Sequence, residues 1–218
     1  MNHDVAILRD LAGRYAEICA DPVMDARRDL WRRHNSLIRT RPLIYVRAFA
    51  WQEMPESELQ CENPLFRRHE NALRQSLFRY HFNDDFTVEP WVTVRAAVVT
   101  PEAGVWGLDS PRTYSEEPRG SFVWDAPLET EADLDKLIAP HHVIDEDETE
   151  RRVALITEAI GDILPIAVDR SPAYTIWNGD ISTQLAYLRG LEQVMWDMMD
   201  RPEWLHTLLT HMRDGILR

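Results

Sequence analysis

The chain has 218 residues, with 24 Lys and Arg against 37 Asp and Glu and a formal net charge of -13. The length allows one good-sized domain with a real core, and the acidic balance excludes nucleic acid as the main partner, because phosphate binding needs a basic surface. Two cysteines, Cys19 and Cys61, are too few for a disulfide framework, and no stretch approaches the roughly 20 apolar residues of a membrane span.

Asp4, Arg9 and Asp10 interrupt any apolar signal core at the N-terminus, so a cytoplasmic protein is expected. Residues 4–20 place Val5, Leu8, Leu11, Ala12, Tyr15, Ile18 and Cys19 at intervals of three and four, an amphipathic helix that Asp21-Pro22 stops. A second, heavily charged helix over about 25–38 has Ala26, Leu30, His34 and Leu37 on one stripe. Next comes Pro42 to Phe49, an apolar run with β-branched and aromatic residues, which predicts a buried strand ending near Arg47. A loop through Cys61-Glu62-Asn63-Pro64 leads to a helix carrying Phe66, Leu73, Leu77 and Tyr80 on one face.

Asn83-Asp84-Asp85 reads as a turn, Phe86 to Pro90 as a second strand ending in the carboxylate of Glu89, and 91–99 as further extended chain. Thr100 to Pro127 is loop or hairpin material. Thr130 and Asp133 stand at capping-box spacing before a short helix over 131–138. His141 to Glu146 is a polar connection, and 147–160 form a helix with Val153, Ile156 and Ile160 inward. Leu164 to Asp169 is the third strand, again ending in a carboxylate, and Arg170 to Ser182 is a loop. One helix over about 183–199 carries Leu185, Leu188, Leu191, Met195 and Met198; Asp200, Pro202 and Glu203 start the last one. Strands alternating with helices argue for α/β architecture with a parallel sheet. Three or four strands are too few for a closed eight-stranded barrel of roughly 250 residues.

Several segments, in this order, resemble the uroporphyrinogen decarboxylase superfamily, in particular a branch similar to corrinoid-linked methyltransferases. They are Leu30 to Asn35 followed by Arg41-Pro42; Trp51-Gln52-Glu53-Met54 with Leu59 to Pro64, Glu70, Leu73 and Arg74; Asp133 to Leu137 with Pro140; Asp162 to Ile166 with Ser171 to Thr175; and Met198 to His206. The resemblance implies a TIM-type (β/α)8 barrel, this chain being its N-terminal part: a helical extension over 1–40 and a partial barrel over 41–218. It implies methyl transfer from a small methylated substrate to a corrinoid carrier protein, or alternatively decarboxylation of a porphyrinogen-like substrate. A third reading is a half-barrel that only binds a ligand, and an exposed sheet edge would favour a homodimer. A zinc ion implied for the methyltransferases would take its ligands outside this chain. Of the two arginines that hold substrate carboxylates in the decarboxylases, the first corresponds to Arg47, and Trp51 stands near the place of the second.

Ligand groups in α/β proteins gather at strand carboxyl ends. Arg47 and Glu89 are therefore the candidate catalytic residues, and Trp51, Gln52, Trp91, Asp169, Trp177 and Asn178 the candidate substrate contacts. Against these stand plainer readings: Arg47 paired with Glu89 or Asp169, Glu89 in a structural salt bridge, and the tryptophans as core. Cys19 and His34 fall on apolar stripes and read as core, and no metal site is read from His141-His142, His206 or His211.

Overall fold

The computed structural model describes residues 2–117, 120–171 and 180–217. Its elements in chain order are α1 (Asn2–Cys19), α2 (Val23–Asn35), α3 (Pro64–Tyr80), β1 (Val92–Arg95), β2 (Ala97–Val99), β3 (Arg112–Tyr114), β4 (Phe122–Trp124), β5 (Val143–Asp145), α4 (Glu146–Ile160), β6 (Ile166–Asp169), α5 (Ile181–Arg189), α6 (Leu191–Asp200) and α7 (Pro202–Ile216). The fold is mixed α/β, with short strands in two-stranded sheets: β1 with β6 parallel, β2 with β5 and β3 with β4 antiparallel. The chain divides into two compact units, residues 1–96 with 146–169, and 97–145 with 170–218.

In the first unit, Leu8, Leu11 and Ala12 of α1 meet Phe66, Leu73 and Leu77 of α3, Ile156, Ala159 and Ile160 of α4, and Val92 and Val94 of β1. This is the apolar period of three and four turned into contact. Asn63 caps α3, its side chain accepting the N–H groups of Leu65 and Phe66, and Pro64 occupies the first turn, where a missing N–H costs nothing. Glu70, fully buried, accepts the N–H groups of Gln60 and Cys61 and the Nε–H of Arg74, tying the preceding loop to the helix. Across the parallel pair Val92 faces Ile166 and Arg95 faces Asp169.

The second unit packs Leu185 and Leu188 of α5 and Trp204, Leu205, Leu208 and Met212 of α7 around Trp106, Leu128 and Leu137. At its centre Arg189 grips Asp197 through Nε (2.7 Å) and Nη2 (3.1 Å), both side chains being buried. Burial alone raises the Asp197 pKa. Hydrogen bonds from Arg189 and Gln193, with the charges of Arg189 and Arg201, overcome this and hold the carboxyl below its ordinary value. Thr130 and Asp133 pair as expected, Asp133 accepting the Thr130 N–H at 2.7 Å, though the turn that follows (Glu131–Lys136) is 3-10 rather than α.

Five expectations are corrected. Residues 42–49 form no strand: the N–H groups of Ile44 and Val46 go to the carboxylates of Asp85 and Asp84, and Ile44, Tyr45 and Phe49 are exposed. Residues 86–90 form none either. The carbonyls of Phe86, Val88 and Glu89 accept side-chain donors from α1 and α2, so Glu89 precedes β1 instead of ending a strand. The buried positions of α2 are Met24 and Arg27, because the Arg27 guanidinium donates to Phe86 O and Asn83 Oδ1; His34 is exposed. The helix expected over 183–199 breaks at Gly190 (φ +81°), a backbone conformation that glycine adopts without strain. Leu191, Met195 and Met198 of α6 are consequently exposed, and Arg201, not Asp200, caps α7.

Removing one partner of a buried, hydrogen-bonded ion pair leaves the other charge stranded. Asp197→Ala is expected to destabilise the second unit by about 3–5 kcal/mol, read by chemical denaturation; a loss inside the scatter of surface substitutions would refute the central role of the pair.

Candidate anion-binding cleft

The loop from Arg41 to Phe49 is held in place by the Asn83-Asp84-Asp85 turn. Arg41 grips Asp85 through both terminal nitrogens. Asp85 also accepts the Ile44 N–H at 2.8 Å and returns its own N–H to Ile44 O at 2.8 Å, while Asp84 accepts the Val46 N–H at 2.7 Å. The hydrogen bond from Arg41, aided by the Ile44 N–H and the Arg41 charge, lowers the Asp85 pKa to about 2 against the opposing effect of burial. These anchors present Tyr45 and Arg47 toward α3, where Gln75 and Arg79 share a helix face at i, i+4.

The Arg79 guanidinium lies 3.7 Å from the Phe86 ring centroid and 4.2 Å from that of Tyr45, whose hydroxyl accepts from Nη1 at 2.9 Å. Its Nε and Nη2 groups are buried and have no acceptor among the described residues. That pair of N–H groups is the same edge with which Arg189 holds Asp197. Arg47, exposed, sits 5.8 Å from the Phe49 ring. Trp51 is buried, its Nε1 donating to Asn71 Oδ1 at 2.8 Å and its ring packed 5.3 Å from Phe78. Tyr45, Arg47, Trp51, Gln52, Gln75 and Arg79 line one cavity of about 380 Å³.

Arg47, Trp51 and Gln52, named from sequence, thus come together. Glu89 and Trp91 do not join them: they line a second cavity, of about 300 Å³, with Tyr15, His69 and Leu73. Glu89 accepts from Arg28 Nε at 3.0 Å, so the Arg47–Glu89 pairing is absent and Glu89 sits in a salt bridge to α2. Asp169 stands at the carboxyl end of β6 opposite Arg95. Trp177 and Asn178 lie outside the described residues. Sequence reasoning missed Arg79, Gln75 and His69, all on α3; the i, i+4 spacing of the first two was the available signal. His69 is buried, and burial, with the charge of Arg68 adding to it, pushes its pKa down to about 4. Cys19 and Cys61 donate to backbone carbonyls, and burial pushes their pKa values up to about 11 and 12, so neither is a poised thiolate.

No described helix is long and apolar enough to cross a membrane, and no three His, Cys, Asp or Glu side chains among the described residues are grouped as metal ligands. Comparison of the chain with protein-family models, with curated proteins and with solved structures finds no match.

The His69 pKa lies below its ordinary 6.5 in the fold, so the unfolded chain gains the proton first as pH falls. Stability therefore declines from pH 6.5 toward pH 4, by up to about 3 kcal/mol; urea denaturation across that window should show a flatter slope in His69→Gln. For Asp85 the sign is that of a depressed carboxylate: its contribution is present above about 4 and lost as pH falls through about 2. Asp85→Asn should flatten that acid limb and raise amide exchange at Ile44 and Val46; unchanged exchange there would show that Asp85 does not hold the loop.

Proposed function

We propose that this chain is the N-terminal part of a uroporphyrinogen decarboxylase-like (β/α)8 barrel enzyme and that the cleft between residues 45–52 and α3 holds a carboxylate of its small-molecule substrate. The observation that carries the reading is the Nε/Nη2 edge of Arg79: two donors, buried, unpaired, and on the side chain that lines a cleft with Arg47. In a chain of net charge -13, two arginines at one cleft with no carboxylate partner among the described residues form a local site of opposite sign. A carboxylate bound along the Arg79 edge makes two parallel N–H···O contacts, the geometry that gives arginine its selectivity for planar anions. Arg47 then neutralises further charge, and Gln52 and Gln75 supply hydrogen bonds to the remaining oxygens.

This arrangement supports the decarboxylation reading over methyl transfer. The resemblance placed one carboxylate-holding arginine at Arg47 and none at Trp51, and Arg79 supplies a second cation from α3. A site of this kind orients a substrate by its carboxylates and leaves another in reach of the reacting centre. Methyl transfer to a corrinoid carrier would use the same cleft to seat a carboxylated methyl donor. The described residues do not fit a zinc site, and no step is assigned to one.

The test is calorimetric titration of the chain with benzene-1,3-dicarboxylate and with the matching diamide. Saturable binding of the dicarboxylate alone is expected, weakened about 10-fold or more in Arg79→Lys, which keeps the charge but loses the planar edge. Equal binding of the diamide, or an unchanged affinity in the variant, would sink the reading.

A further inference from the structure

The cavity of about 300 Å³ beside α1 and α3 is separate from the arginine cleft and shares no lining residue with it. Its floor is apolar, formed by Leu73 and Val92. Two of the hydroxyls around it are already engaged: Tyr15 donates to Glu89 O at 3.0 Å and Ser76 to Ala72 O at 2.9 Å. Thr87 and Thr93 also line it. Three further groups bear on a ligand. His69 is 5 % exposed, lines the cavity, and has no hydrogen-bond partner among the described residues. Glu89 spends one carboxylate oxygen, Oε2, on Arg28, leaving Oε1. Trp91, 41 % exposed, offers an indole face.

The charge around the cavity is also unbalanced. Arg28 is shared between Glu89 (3.0 Å) and Asp25 (2.9 Å), so one guanidinium faces two carboxylates. Arg68, the positive charge next to His69 in the chain, is exposed and screened by water. At neutral pH the buried imidazole is uncharged, as its lowered pKa requires, and one of its nitrogens is a lone-pair acceptor.

An uncharged imidazole, a carboxylate oxygen and an aromatic face are the three kinds of group that recognise an ammonium: two accept its N–H donors and the third stabilises its charge through the ring quadrupole. We infer that this cavity binds a small protonated amine with an apolar tail, the ammonium held by His69, Glu89 and Trp91 and the tail seated on Leu73 and Val92. The site makes Glu89 and Trp91 ligand contacts, with a cationic ligand in place of an anionic one.

The experiment follows the His69 ring resonances of the whole chain, labelled with 15N-histidine, during titration with n-butylammonium chloride and, in parallel, with n-butanol. Saturable shifts with the amine at millimolar concentration and none with the alcohol are expected. Glu89→Gln and Trp91→Leu should each weaken binding about 10-fold or more while cooperative thermal unfolding confirms the fold. Trp91 is a partly exposed side chain, so its variant tests the ligand contact even where Glu89→Gln disturbs Arg28. Absence of saturation, equal shifts from n-butanol, or unchanged binding in both folded variants overturns the proposal. Dicarboxylate binding at Arg79 is read in the same samples, so failure of one site is distinguishable from failure of the other.

Discussion

Two adjacent carboxylates, Asp84 and Asp85, hold the segment on which the arginine cleft depends. A chain of β-branched and aromatic residues leaves its backbone N–H groups needing acceptors, and a neighbouring strand is the usual source. Here the acceptors are side-chain carboxylates: Asp85 takes the Ile44 N–H, Asp84 takes the Val46 N–H, and Arg41 locks Asp85 from the other side. Each bond to an ionised acceptor is stronger than a ladder bond between neutral groups. The segment can therefore be well placed while its side chains stay at the surface. That combination suits a binding edge better than a core strand, because Tyr45 and Arg47 are positioned without being buried.

Buried carboxylates organise both units in the same way. Glu70 closes the loop ahead of α3 by accepting two backbone N–H groups, and Asp197 joins α5 to α6 through Arg189. In both places the charge is fully hydrogen-bonded, which is the condition under which ionised groups persist in a low-dielectric interior. The acidic composition is thus not only a solvated surface. The chain uses carboxylates as fixed acceptors wherever its loops depart from regular structure, and the arginines that answer them are correspondingly committed. Arg79 stands apart because its partners are ring faces and one phenol oxygen.

What could be read from sequence divides along physical lines. Helices α1, α3 and α4 were legible because their apolar positions repeat at three and four and the buried residues, such as Leu8, Leu73 and Ile156, are those positions. The Thr130–Asp133 pairing was legible because it rests on a short-range hydrogen bond that the local residues can make alone. The run from Pro42 to Phe49 misled because an apolar, β-branched pattern looks the same whether its N–H groups meet a strand or a carboxylate. Gly190 misled because the periodicity of Leu185, Leu188 and Leu191 passes through it unbroken, while its positive φ redirects everything that follows. Arg47, Trp51 and Gln52 were found as one cluster, but the strand argument that singled them out was not the physical reason they meet. Arg79 was signalled only by its i, i+4 spacing from Gln75, since its environment is made by Tyr45 and Phe86 and not by its own helix.

The state of Arg79 is the strongest pointer to a ligand in the arginine cleft, and its force comes from geometry. Contact with Phe86 and Tyr45 stabilises the positive charge through ring quadrupoles, which act perpendicular to the ring plane. The guanidinium N–H groups point in the guanidinium plane and need acceptors there. Stacking therefore offsets the cost of burying the charge without satisfying the donors, and a buried donor left unpaired costs about 1–3 kcal/mol. Nη1 has the Tyr45 hydroxyl, whereas Nε and Nη2 have no acceptor among the described residues. The described residues hold no in-plane acceptor for these two donors, and the proposed carboxylate is a group whose two oxygens match them.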